Sequence, residues 1–163
     1  MISPHPPYCF DRNGKLQRRV TDDSWNNLDA YREQAEYIGG RVLEVVDSLI
    51  ASSKTPPVII IQADHGTGTR ADSRSVAYSQ DDSAMERMPI LNAYLVPQDV
   101  RNKLYPEISP VNSFRLLLSG LFEDENLQAL EDHSFYSWYN DPYRLSDVST
   151  LLRSEQRDGV VRY

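Results

Sequence analysis

Among its 163 residues the chain has a single cysteine, Cys9. That excludes an intramolecular disulfide and any CxxC metal site. Nor is there an apolar run near the roughly 18 to 20 residues that a membrane-spanning helix needs. The opening MISPHPPY has no basic region followed by an apolar one, so it does not match a signal peptide. An anchor or export signal would lie outside this sequence. A basic face is missing as well: the net charge is −7. A general nucleic-acid binder must neutralise phosphates, so none is expected here. No internal repeat and no domain boundary is visible. The chain is long enough for one domain with its own core, and 40% hydrophobic with 25% charged residues is ordinary for a globular protein.

The first 24 residues are rich in proline and polar groups and predict irregular structure. Within them DRNGK (11–15) is a turn signal, because Asn-Gly tolerates positive φ. Then Leu28, Tyr31, Ala35, Ile38, Val42, Val45 and Leu49 recur at spacings of three and four, predicting one helix over about 25–53. Gly39 and Gly40 interrupt it at a cost of about 1 kcal/mol each against alanine; a bend and close packing are both open. Thr55-Pro56-Pro57 stops the helix. Val58 to Gln62 follows, apolar on both faces, which predicts a central strand of a largely parallel sheet. Gly, Ser, Thr and Asp dominate 66–87, predicting a long loop. PILNAYLVP (89–97) predicts a second buried strand, and ISPVNSFRLLLSGLF (108–122) a second helix. Ser109 suits its N-cap, Pro110 its first position and Gly120 its end. Beyond it, a short helical piece near Asn126 to Leu130 and an edge strand at FYSWY (135–139) are expected. Alternating strands and helices make the class α/β, with a mainly parallel sheet and flanking helices.

Chemistry enters where the first strand ends. Asp64 and His65 follow it directly, and ligands of open α/β sheets bind beyond the carboxyl ends of strands. Gly66 lets the backbone turn away and keeps the space beside the pair clear. A carboxylate and an imidazole are good ligands for a divalent cation such as zinc or manganese. The bland alternative is that Asp64 caps a turn and His65 is a half-buried, hydrogen-bonded histidine.

Strand-Asp-His-Gly resembles the metal-binding signature of sulfatases and their relatives in the alkaline phosphatase superfamily. PHPPYCFDRNG (4–14) resembles the histidine segment that lies upstream in sulfatase-like hydrolases and phosphoethanolamine-transferase-like enzymes. YREQAEYIGGRVLEVVDSLI resembles the helix leading to the metal strand. ERMPILNAYLVP with LYPEISPVNSFRLLLSGLF resembles the segment after it, particularly in bacterial membrane-anchored members. The likeness covers residues 4 to about 122, in order. It implies an alkaline-phosphatase-like fold, of which residues 1–163 would form one partial domain, the C-terminal part. It also implies that Asp64 and His65 are ligands of a divalent metal ion (Zn, Mn or Ca). His5 would be catalytic, binding or protonating an oxygen of a sulfate- or phosphate-ester substrate; apart from the likeness it is a loop histidine between prolines. His133 has no motif support and is expected to be a surface or packing histidine. Full-length relatives are often membrane-anchored with an extracytoplasmic catalytic domain.

The family's nucleophile, a Thr, a Ser or a formylglycine, lies far upstream of the histidine segment, and only four residues precede His5. Cys9 lacks the context that formylglycine formation needs, and Thr67 and Thr69 do not match the nucleophile position. The chain is therefore expected to carry part of a metal site, to bind metal weakly and to be inactive alone. It would be a fragment of a longer enzyme, the product of a truncated or split reading frame, or a standalone protein that lost catalysis. The alternative is a non-catalytic small α/β binding module. Self-association is expected either way, because a half-domain exposes sheet edge and apolar surface. Arg70, Arg74 and Arg87 are candidate anion contacts or exposed loop arginines.

Overall fold

Asn27 starts the first helix by accepting the Ala30 amide at 3.0 Å. Helix α1 then runs Leu28–Ser52, close to the expected span. The structure, a computed structural model, describes residues 4–17, 27–68, 79–138 and 141–158. Residues 8 to 17 are strapped along the first half of α1. The buried Gln34 side chain accepts from the amides of Cys9 (2.7 Å) and Phe10 (3.2 Å). Tyr8 meets Tyr31 edge-on at 6.0 Å, and Phe10 lies 5.3 Å from Tyr37. The expected turn forms at residues 11–15. Asp11 Oδ1 accepts from the amides of Asn13 and Lys15, both at 2.9 Å, and Gly14 takes a φ of 78°. Tyr37 lies against Gly14 where a side chain would stand. The second half of α1 is less covered: Leu43, Val45, Leu49 and Ile50 are exposed. A Cβ at Gly39 or Gly40 would meet nothing within 4 Å, so close packing is not their role.

Strand β1 is Ile59–Gln62 and β2 is Asn92–Leu95. They pair antiparallel, Ile59 opposite Leu95 and Gln62 opposite Asn92, in a two-stranded sheet. This corrects the expected parallel sheet, which does not form among the described residues. Apolar character on both faces predicts cover, not the direction of the neighbouring strand. Nor is β1 fully covered: each of its four residues is half-buried.

The expected loop between the strands also needs correction. Helix α2, Gln80–Arg87, occupies its end. Ser79 Oγ accepts from the Asp82 amide (3.1 Å) while the Asp82 carboxylate accepts from the Ser79 amide (3.2 Å). This reciprocal cap satisfies amide donors that a helix start leaves open. Residues 69–78 of that loop lie outside the described residues.

After β2 come α3, Gln98–Arg101, and α4, Pro110–Phe122. Ser109 and Pro110 start α4 as expected, but it runs past Gly120 to end at Glu123, whose φ of 54° is left-handed. Val96, Val100 and Leu117 form a core with Ile60, Tyr94 and Leu104, seating α4 on the β1–β2 sheet. Full burial of such side chains contributes about 1.5–3 kcal/mol each. A second core joins α2 to the C-terminal elements: β3, Phe135–Trp138, its antiparallel partner β4, Asp141–Asp147, and α5, Ser149–Asp158. Ala84 of α2 packs there with Tyr136 and Val148, flanked by Met88, Trp138, Leu151 and Leu152. The expected strand at FYSWY is thus present, paired within a hairpin; Tyr139 lies outside the described residues.

No helix forms at Asn126 to Leu130. Arg115 donates to the Gln128 carbonyl (2.7 Å), and the buried Asn112 side chain binds the backbone of Leu130 at both ends (2.8 and 2.9 Å). These bonds to α4 take groups that a helical ladder would use. Asn112 also donates to Tyr105 Oη and Asp132 Oδ1, each at 2.8 Å, and Tyr105 donates to the other Asp132 oxygen. Asn112→Ala should cost about 2–3 kcal/mol in urea unfolding, because it strands buried partners; Asn126→Ala, on the surface, should stay within about 0.5 kcal/mol. Burial first, then the bond to Asp132, pushes the Tyr105 phenol up to about 12. A raised folded-state value means its contribution is intact below the unfolded value, near 10. That contribution is lost as pH rises through about 12. Ultraviolet titration of phenolate should show Tyr105 among the late tyrosines, and Asp132→Asn should shift that late phase to lower pH.

Candidate functional site

The end of β1 is fixed from two sides. Gln62 Nε2 donates to Asn92 Oδ1 (3.1 Å) across the sheet and to Ser113 Oγ (3.4 Å) on α4, where Tyr94 Oη also lies 2.5 Å from Ser113 Oγ. The Ala63 amide donates to the Leu91 carbonyl at 2.9 Å. Asp64 and His65 then turn out to solvent, and both are exposed.

The two side chains lie close to each other. The His65 amide donates to Asp64 Oδ1 at 3.1 Å, and His65 Nδ1 lies 2.7 Å from the Gly66 carbonyl oxygen. A carbonyl only accepts, so Nδ1 carries the hydrogen and the neutral ring keeps its lone pair on Nε2. That Nε2 lies 3.5 Å from Asp64 Oδ2. Two atoms bound to one tetrahedral cation at zinc-like bond lengths stand about 3.4 Å apart, so the pair fits a shared ion. A ring fixed through Nδ1–H on a carbonyl is also how metal-binding histidines are oriented.

The turn is wedged against α2. The Gly66 amide donates to the Arg87 carbonyl at 2.7 Å. A Cβ at residue 66 would stand 2.3 Å from the Glu86 carbonyl oxygen and 2.7 Å from that of Pro89. Thr67 Oγ1 donates to Glu86 Oε1 at 2.6 Å. Burial, with the Glu86 carboxylate adding to it, holds the Tyr31 phenol above its usual pKa; burial and Tyr31 do the same for Tyr8. One turn before Glu86, the buried Ser83 hydroxyl has no hydrogen-bond partner.

No family model, curated protein or solved structure matches the chain.

His5 is exposed, its Nδ1 donating to the Pro6 carbonyl at 2.5 Å. Three residues on, Tyr8 packs on Tyr31 of α1. Among the described residues, no three His, Cys, Asp or Glu side chains are grouped to hold a metal. His133 sits exposed between Glu131 (3.4 Å) and Asp147 (3.5 Å), stacked on Phe135. That agrees with a surface and packing role. Hydrogen bonds from Ser149, and His133 after them, hold the Asp147 carboxyl below its usual pKa. Thr69, Arg70 and Arg74 lie outside the described residues, and Arg87 ends α2. An open groove between α3 and the end of α4, lined by Asp99, Lys103, Ser119 and Asp124 among others, includes none of the candidate site residues.

Sequence reasoning missed Gln34, Thr67 and Glu86. The signal for Glu86 was present in Ser79-x-x-Asp82, the spacing of a helix cap. Gly66→Ala should lower stability by about 1–3 kcal/mol, since two backbone carbonyls must move. Gly39→Ala, in open space on a helix, should raise it by up to about 1 kcal/mol. Thermal unfolding of the two variants checks the contrast.

Proposed function

We propose that this chain is the C-terminal part of a metal-dependent sulfatase-like hydrolase or phosphoethanolamine-type transferase domain of the alkaline phosphatase superfamily. It would act on sulfate or phosphate esters. The observation that carries this reading is the exposed Asp64–His65 pair, carboxylate and imidazole donors 3.5 Å apart at the end of an apolar strand. The ordered motifs from residue 4 onward support it. So do β1, whose pairing among the described residues is with β2 alone, and the exposed apolar face of α1, both of which the rest of such a domain would cover.

In this reading Asp64 Oδ2 and His65 Nε2 hold the divalent ion (Zn, Mn or Ca). Bound there, such an ion polarises an oxygen of the transferred sulfuryl or phosphoryl group. His5 supplies a hydrogen bond or a proton to an oxygen of that group. Gly66 O keeps the His65 ring in the tautomer that presents Nε2. None of these residues is an attacking group, so the chain alone should not turn over aryl sulfates or aryl phosphates. No helix among the described residues is long and apolar enough to cross a membrane.

A second reading, a non-catalytic oligomeric α/β module, is favoured by one observation. Val111, Phe114, Leu118 and Leu121 line the outer face of α4 and are 38–62% exposed. Such a contiguous patch commonly marks an interface. Sedimentation should show a dimer or larger assembly at tens of micromolar; a clean monomer contradicts this reading.

Metal binding should be weak, far short of the roughly 10–16 kcal/mol of a complete structural zinc site. Manganese titration followed by electron paramagnetic resonance should give saturable binding that Asp64→Ala removes. Equal binding by Asp64→Ala would sink the proposed site.

A further inference from the structure

Between the last residue of β1 and Thr67, three hydrogen bonds among the described residues anchor the chain to the rest of the protein. Two are backbone bonds, Ala63 N–H to Leu91 O and Gly66 N–H to Arg87 O. The third joins side chains, Thr67 Oγ1 to Glu86 Oε1 at 2.6 Å. Asp64 and His65 stand exposed between these anchors, and the bonds that shape the pair stay within residues 64–66. Where the two donor atoms stand relative to the rest of the molecule is therefore set by the anchors. The carboxylate of Glu86 closes the turn. It does so from α2, whose Arg87 carbonyl also accepts the Gly66 amide.

We infer that Thr67 and Glu86 are positioning residues for the Asp64–His65 cation site. Their hydrogen bond fixes the metal turn on α2. The inference rests on the metal-site reading above. Partners that orient ligands from behind typically change metal affinity by about 10–100-fold when removed. Neither residue touches the cation in this account, so a readout other than activity is needed.

The test uses the full chain with Mn2+ alone as probe, beside amide hydrogen exchange at Gly66 measured without metal. Thr67→Val removes the donor at nearly constant shape, and Glu86→Ala removes the acceptor. Each should weaken Mn2+ binding about 10-fold or more and speed exchange at Gly66. Thr67→Ser, which keeps the hydroxyl, and Glu86→Gln, which keeps an acceptor oxygen, should restore most of both. If Asp64→Ala abolishes Mn2+ binding while Thr67→Val and Glu86→Ala leave affinity and Gly66 exchange unchanged, the positioning role is overturned and the metal site stands. If Asp64→Ala leaves Mn2+ binding intact, the metal reading falls and the positioning role falls with it.

Discussion

At residue 66 the chain passes so close to the end of α2 that a side chain has no place to go. The Glu86 and Pro89 carbonyls stand where a Cβ would be. This constraint sets the direction in which the strand end leaves the sheet. It puts Asp64 and His65 on the outside of the turn, and it brings Thr67 within reach of Glu86. It also explains why a short helix matters so much. Through Ala84, α2 is part of the core built on β3, β4 and α5; through Glu86 it holds Thr67. The candidate site hangs from the element that carries this core.

Helix α4 buries polar side chains and exposes apolar ones. Its buried side holds Asn112, Ser113 and Ser119 beside Leu116 and Leu117, while Val111, Phe114, Leu118, Leu121 and Phe122 face out. The inner polar groups are satisfied by Tyr105, Leu130, Asp132, Ser109, Tyr94 and Lys103. A helix that is apolar on its outer side as well is built for cover on two sides. The second half of α1 and the half-buried β1 have the same character. Under the partial-domain proposal the remainder of the domain supplies that cover; under the oligomer reading another copy does. Each square ångström of apolar surface removed from water contributes about 25 cal/mol before the entropic costs of association are met, so covering these faces favours association.

Much of the local structure could be read from the residues. Apolar spacing located α1, the Ser109-Pro110 pair located the start of α4, Asn13-Gly14 located the turn, and the two apolar runs located β1 and β2. Partner choice could not be read, because Val58 to Ile61 would look the same beside a parallel or an antiparallel neighbour. Composition concealed α2, since Gln, Asp and Ser suit loops as well as the first turn of a capped helix. The piece at Asn126 to Leu130 has helical composition, but Asn112 and Arg115 claim its backbone groups. At the site, the types Asp and His and the following glycine were informative. The supporting pair was not, because Thr67 and Glu86 are far apart in sequence and meet only once α2 is in place.

The central claim is that His65 presents Nε2, beside Asp64 Oδ2, for a cation while Nδ1 stays protonated on the Gly66 carbonyl. Nitrogen-15 NMR of the imidazole during zinc titration tests it most directly. The account predicts that the His65 Nε2 resonance moves with added zinc while Nδ1 keeps the shift of a protonated ring nitrogen. Zinc binding through Nδ1, or no change at either nitrogen up to saturating zinc, would contradict it.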